Sequence, residues 1–371
     1  MQRRTFFTAS AALALSTGIP ALASPDSAPE ILLPKSSFDL RVFTAELVAI
    51  DSKTGYEEGN NRIIEIFAER FRSIGWSVET PYCAERGKAL LATNRPDAKR
   101  FDIVLCAHTD TVQPVGSAAK HPFRLVDGIA YGAGVADDKS SLNAVWWVAK
   151  DLPACVTDRL AVAVVLNPGE ESGSKATSAF LRGVAQKSDH VMVFEPGRGE
   201  IPGGGFVKVR KGAVFLKVRF RGKAAHAGNN PQDGRSAVLA AAHLTIAITN
   251  LQDLEGKGTS VTVGVIEGGT VCNTVPEKCT LKIDTRCWND EDGREIDEGI
   301  EALAKQNWGD GITVEATRVS KSPAMPCTDA TKELVEIVNR AAKEEGYEAT
   351  WVDAGGGSDA NRIAQVGVPV I

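Results

Sequence analysis

Apolar runs of strand length alternate along this chain with stretches patterned for helices, and that alternation limits the possible folds more than any other feature. Residues 103–106, 160–166 and 191–194 are apolar at every position. A strand with both faces apolar belongs in a sheet covered on both faces, not in one that faces water. Between such runs, Ile63, Ile64, Phe67, Phe71 and Ile74 recur at helical spacing, and Gly75 follows as a stop. The pattern predicts helices over 37–50, 57–74 and 138–150, and strands over 76–79, 89–93, 102–107, 160–166 and 191–194. Strands that alternate with helices in this way give an α/β sheet clothed by helices.

The texture changes near Lys211. Over 214–220 apolar residues alternate with the charged Lys217 and Arg219, as in a half-exposed strand. A helix over 235–250, strands over 260–266 and 280–286, a helix over 294–306 and a strand over 313–318 complete a β-α-β-β-α-β order. That order suits a small α+β insert with one sheet face open. From about Pro323 the chain returns to helix (331–345), strand (350–353), a glycine loop and a further helix. The expected division is 24–211 with 321–371 as one discontinuous domain and 212–320 as the insert. A length of 371 residues agrees with more than one core.

The extreme N-terminus reads as an address. Arg3-Arg4 precede Thr5-Phe6-Phe7, an apolar stretch to Leu15 and the small-x-small site Ala21-Leu22-Ala23. This is the layout of a twin-arginine export signal over residues 1–23, implying a periplasmic or secreted protein. Beyond it, no segment offers the roughly 18 uninterrupted apolar residues of a spanning helix. A net charge of −5 without a basic run argues against a nucleic-acid partner. The seven cysteines include no CxxC pair, which excludes a cysteine zinc finger. An oxidising compartment allows a disulfide, with Cys272 and Cys279 the candidate pair, although the odd count argues against full pairing. Cys106, in its apolar run, reads as core.

Four acidic or histidine clusters fall at the downstream ends of expected strands: His108-Thr109-Asp110, Asp137-Asp138, Glu170-Glu171 and Glu195. In open α/β sheets the carboxyl ends of the strands form the ligand crevice. Carboxylates gathered there without a cation repel one another, and some must stay protonated. Divalent metal removes that penalty, and histidine with oxygen donors suits zinc, with cobalt or manganese as substitutes.

The motifs His108-Thr109-Asp110-Thr111, YGAGVADDK at 131–139, NPGEESGS at 167–174, FEP at 194–196, KAAHAG at 223–228 and GGGSDAN at 355–361 occur in one order across nearly the whole chain. In them the sequence resembles the zinc peptidase superfamily of glutamate carboxypeptidase, aminoacylase, acetylornithine deacetylase and succinyl-diaminopimelate desuccinylase, most of all the bacterial glutamate carboxypeptidase branch. The resemblance implies two divalent metal ions. His108 and Glu195 would bind one, Asp137 would bridge both, and Glu171 would bind the second. Glu170 would be the general base, and Asp110 would orient His108. It further implies that the insert is a lid and dimerisation domain, hence a homodimer. His226 would stabilise the oxyanion, Asn273 and Arg286 would hold the substrate carbonyl and free carboxylate, and Gly356, Gly357 and Ser358 would offer backbone N–H groups. Substrates would be small peptides or N-acyl amino acids.

One departure stands out. In the family the last ligand of the second metal is a histidine near the C-terminus, whereas here nothing follows Ile371. The expectation is a truncated chain with a weakened second site. Three readings follow: a carboxypeptidase-type hydrolase, with glutamate the candidate product; an N-acyl-amino-acid deacylase; and a non-catalytic metal-binding homologue. His121, His190 and His243 match no motif and read as surface or packing residues, and Trp146-Trp147 as helix packing. Gly132-x-Gly134-x-x-Asp137 lacks the third glycine of a dinucleotide loop and ends on a carboxylate that would repel a pyrophosphate.

Overall fold

The computed structural model describes residues 37–197 and 205–371. The export signal expected over residues 1–23, Arg3 and Arg4 included, lies outside the described residues. The chain forms two compact units. One comprises the described residues up to Lys208 with Cys327–Asp353 and Ser358–Ile371; the other comprises Val209–Pro326 and Ala354–Gly357.

The first unit opens with helices α1 (Ser37–Val48) and α2 (Glu57–Ser73). Strands β1 (Ser77–Glu79), β2 (Leu90–Thr93) and β3 (Phe101–His108) follow, then helix α3 (Ser140–Lys150) and strand β4 (Val162–Asn167). Helix α4 (Ser178–Ala185) and strand β5 (Ser188–Val193) complete the series. The five strands make one mixed sheet in the order β1-β2-β4-β3-β5. β3 runs parallel to both β4 and β5, while β1 and β2 pair antiparallel at the other edge. Every residue of β4 is buried, as its unbroken apolar run demands. Phe67 and Phe71 of α2, Leu105 of β3, Leu142 and Trp146 of α3 and Leu166 of β4 share one core.

The second unit contains β6 (Gly212–Arg221), α5 (Ala237–Thr249), β7 (Ser260–Gly268), β8 (Lys278–Cys287), α6 (Asp290–Ala304) and β9 (Thr313–Ser322). This is the β-α-β-β-α-β order expected of the insert. Its antiparallel sheet runs β7-β8-β6-β9. Val214, Leu216, Val218 and Phe220 point from β6 into a core completed by Leu244 and Ile248 of α5 and Ile296 and Ile300 of α6. Alternate residues leave the other face open, with Phe215 exposed.

The chain then returns to the first unit through α7 (Asp329–Glu344) and α8 (Asp359–Ile363). Pro369 and Ile371 exchange backbone hydrogen bonds with Val191 and Val193, so the last residues run beside β5.

Three expectations are corrected. The helix expected from residue 138 begins at Ser140, because Asp137 (φ −128°, ψ 95°) and Asp138 (φ −128°, ψ 22°) are not helical. The helix expected from Arg294 begins at Asp290, where the Asn289 side chain accepts the N–H of Asp292 and three acidic residues fill the first turn. All seven cysteines are free thiols; Cys279 is buried on β8 while Cys272 is exposed. Trp146 is core, as expected, and the Lys150 ammonium lies over the ring of Trp147. Among the described residues no helix is long and apolar enough to cross a membrane.

Candidate metal centre

The carboxyl ends of three adjacent parallel strands define one edge of the main sheet. His108 is the last residue of β3. Glu170 and Glu171 sit in a short turn just after β4, and Glu195 lies two residues past β5. Asp137 arrives differently. It belongs to the segment between the ribbon of Arg124–Val126 with Ile129–Tyr131 and helix α3, so it does not end a strand of the main sheet.

His108 is the hub. Its ring is only 1% exposed, and Nε2 lies 3.0 Å from Asp137 Oδ1. Candidate ligand atoms of His108, Asp137 and Asp138 lie within 4.8 Å of one another, and so do those of His108, Glu170 and Glu195. On the far side of the ring, Nδ1 lies 2.9 Å from the backbone carbonyl of Asp110 and 3.4 Å from its carboxylate. The nearer partner is an acceptor only, so in the neutral ring it draws the hydrogen to Nδ1 and leaves Nε2 as a lone pair facing the acids.

Asp110 has further work. Its carboxylate is fully buried and accepts the backbone N–H of Glu170 (3.0 Å), the backbone N–H of Glu171 (3.2 Å) and the Thr54 hydroxyl (2.7 Å). Glu171 Oε1 accepts the Val112 N–H at 3.2 Å. Asp138, the neighbour of Asp137, is fully buried and accepts the backbone N–H of His108 at 3.1 Å. Its Oδ1 is buried with no hydrogen-bond partner.

Electrostatics describe an overcrowded site. Burial, reinforced by Glu195, Asp359 and Asp110, pushes Glu170 well above the usual carboxylate range even though His108 opposes it. Burial and then the neighbouring Asp137 push Glu171 up to about 7. Burial likewise lifts Asp138 well above its ordinary value. Burial disfavours a charged His108, but Asp138, Asp110, Asp137 and Glu170 around it prevail and raise its pKa well above the usual imidazole value. A divalent cation would reverse each of these penalties. The orphaned oxygen of Asp138 and the N/O donor set fit such an ion.

Of the expected substrate contacts, all but Ser358 belong to the second unit. His226, exposed, accepts the N–H groups of Gly228 and Asn229 on Nδ1, both at 3.1 Å, which leaves the neutral ring's hydrogen on Nε2. Asn273 is its neighbour, since the Ala227 N–H donates to the Asn273 carbonyl. The Arg286 guanidinium is held in a fork by Asp284, with two bonds of 2.7 Å, above the ring of Phe215. Ser358 is buried, and its hydroxyl accepts the Ala360 N–H as the cap of α8. The carbonyls of Gly356 and Gly357 face Arg210.

A profile of peptidase family M20/M25/M40 matches residues 104–371. The chain belongs to this family. M20 enzymes are metal-dependent hydrolases, and the cluster around His108 supplies the donors that such chemistry requires. Among M20 relatives, carboxypeptidase G2 of Pseudomonas sp. strain RS-16 is 29% identical over 333 residues, spanning 88% of this chain and 79% of that protein. Acetylornithine deacetylase of Myxococcus xanthus is 25% identical over 350 residues, spanning 90% and 88%. In fold, the chain superimposes on a tripeptidase from Staphylococcus aureus with a TM-score of 0.71 and 24% identity, covering 89% of this chain and 88% of that one.

Sequence reasoning did not single out Thr54, Asn167, Ser174 or Asp359, which form the polar bed beneath the M20 site. The last three do lie inside the motifs at 167–174 and 355–361.

Proposed function

We propose that this M20 protein hydrolyses a peptide or N-acyl amide bond next to a free carboxylate, in the manner of a carboxypeptidase that releases a C-terminal amino acid such as glutamate. One observation carries the reading: His108 shares its immediate surroundings with Asp137 and Asp138 and also with Glu170 and Glu195. His108 and Glu195 would hold one zinc ion, Asp137 would bridge and Glu171 would hold a second. When bound, such ions polarise a carbonyl and acidify a water.

Glu170, left outside that ligand set, takes a proton from the attacking water and returns it to the leaving amine. Its turn is held by Asp110 through two backbone N–H groups, which keeps the carboxylate in place through both transfers. Asp110 also anchors His108, through its carbonyl more closely than through its carboxylate. His226, with hydrogen fixed on Nε2, is suited to donate to a developing oxyanion. Arg286 presents a planar guanidinium for a substrate carboxylate.

The similarity to carboxypeptidase G2 supports a carboxypeptidase, and that to acetylornithine deacetylase supports a deacylase, on the same centre. Residues 1–23 would direct the protein to the periplasm, where a peptide substrate is more accessible than a cytosolic intermediate. A homodimer through the second unit is supported by helix α5, which leaves Leu239, Ala242 and Ile246 exposed in one stripe. The testing experiment is a panel of N-acyl dipeptides against N-acetyl amino acids, with zinc supplied. Faster release of C-terminal amino acids supports the proposal. Preference for acetyl amides supports a deacylase, and no turnover of either class contradicts the enzymatic reading.

A further inference from the structure

The turn that carries Glu170 is clasped from below by a carboxylate 189 positions further along the chain. Asp359 opens helix α8 and is 1% exposed. Its Oδ1 accepts the Asn167 amide at 2.6 Å and also accepts the Ser174 hydroxyl. Its Oδ2 faces the Cys106 thiol at 3.8 Å. Those three donors are neutral and buried.

Each donor belongs to a part of the candidate centre. Cys106 stands two residues before His108 on β3. Asn167 ends β4, accepts the Gly169 N–H on its side chain and accepts the Thr109 N–H on its carbonyl. Ser174 closes the turn, donating its backbone N–H to the Gly169 carbonyl while its own φ is +52°. The Gly173 N–H meanwhile closes on the Glu170 carbonyl at 2.6 Å. Asp359 thus touches Ser174 at the end of the Gly169–Ser174 turn, Asn167 just before its start, and the strand that bears His108. Its own position is fixed, because Ser358 and Asn361 close a reciprocal cap around the start of α8.

A buried carboxylate is retained against its desolvation only when donors surround it, and here three do. An asparagine of the same shape offers one acceptor oxygen where two are used, and turns a donor toward the thiol. An apolar residue leaves the Ser174 hydroxyl and one Asn167 proton stranded.

We propose that Asp359 is a positioning residue for the Glu170 turn, setting through Asn167 and Ser174 where the Glu170–Glu171 pair stands relative to His108. The proposal rests on the reading of Glu170 as the base for its kinetic arm only. Two variants test it, Asp359→Asn and the milder Ser174→Ala, each in the full chain. Backbone amide exchange of the metal-free protein gives the readout that needs no activity. Amides of residues 169–174 should exchange about tenfold faster in both variants, with those of α3 unchanged. In the metal-loaded protein kcat should fall about 10- to 100-fold with KM within about twofold, and the double variant should lose less than the product of the single losses. Unchanged exchange in the turn in folded variants overturns the proposal, as does a kcat equal to wild type. If the wild-type protein hydrolyses nothing, the functional reading fails while the exchange result still decides the role of Asp359.

Discussion

Asp110 accepts the backbone N–H of Glu170 at 3.0 Å, so the residue expected only to steer an imidazole also fixes the turn that bears the candidate base. The same carboxylate takes the N–H of Glu171 and the hydroxyl of Thr54, and stands 3.4 Å from His108 Nδ1. Two oxygens therefore organise both halves of the centre.

Asp110→Asn keeps the shape and halves the acceptor capacity. The variant should lose about 10- to 100-fold in kcat, the usual scale for residues that orient a metal site. Thr54→Val, which removes one donor and leaves both backbone bonds, should lose less. Steady-state kinetics with metal content measured on the same samples decides it; Asp110→Asn activity within twofold of wild type contradicts the assignment.

Arg286 supplies a prediction about substrate. Its fork is already engaged by Asp284, two positions earlier on the same face of β8. Such a partner holds the guanidinium plane still while other N–H donors remain to meet a substrate carboxylate. Arg286→Ala should raise KM for substrates with a free carboxylate about 10- to 100-fold, the range of a lost charge-assisted bond. The corresponding C-terminal amides should be barely affected. Equal losses for acids and amides would remove Arg286 from carboxylate recognition.

Lys139 predicts how stability depends on pH. Its side chain is 1% exposed, and Nζ donates to the Ile50 carbonyl at 2.7 Å. Burial lowers its pKa from 10.5 to about 8, although Asp51 opposes the shift. Below pH 8 both folded and unfolded chains carry the proton, and folding bears the full desolvation penalty. Between about 8 and 10.5 the folded chain has released the proton and the unfolded chain has not, so stability rises with pH. The rise is on the order of 3 kcal/mol at 1.36 kcal/mol per pH unit. Denaturant titrations of metal-free wild type and Lys139→Met from pH 7 to 10 measure it. The variant should lack the rise; an equal slope in both proteins contradicts the account.

Much of the M20 fold is legible in the sequence because burial on two faces leaves an unmistakable mark. The all-apolar run of β4 and the helical repeat of Ile63, Phe67 and Phe71 place the sheet and its cover. The strand ends in turn place His108, Glu170 and Glu195 together. Legibility stops where conformation depends on distant partners. Asp137 and Asp138 look like the first turn of α3, yet Asp138 is drawn out of the helix to meet the backbone N–H of His108. Asp359 looks like an ordinary first-turn acid, and only the fold brings it to Asn167 and Ser174. The early start of α6 was written in the sequence, since Asn289 followed by three acids is a helix-start signal that apolar periodicity does not report.

In the proposed reaction the histidine and carboxylates at the strand ends bind metal while Glu170 moves the proton. Glu170→Gln separates the two roles, because the variant removes the proton carrier and leaves His108, Asp137, Glu171 and Glu195 untouched. Metal analysis and turnover, measured on wild type and variant loaded with zinc, test it directly. Both proteins should hold two divalent ions per chain, and the variant should lose about 10²- to 10⁴-fold in kcat. Turnover retained by the variant, or ions and turnover lost together, would contradict it.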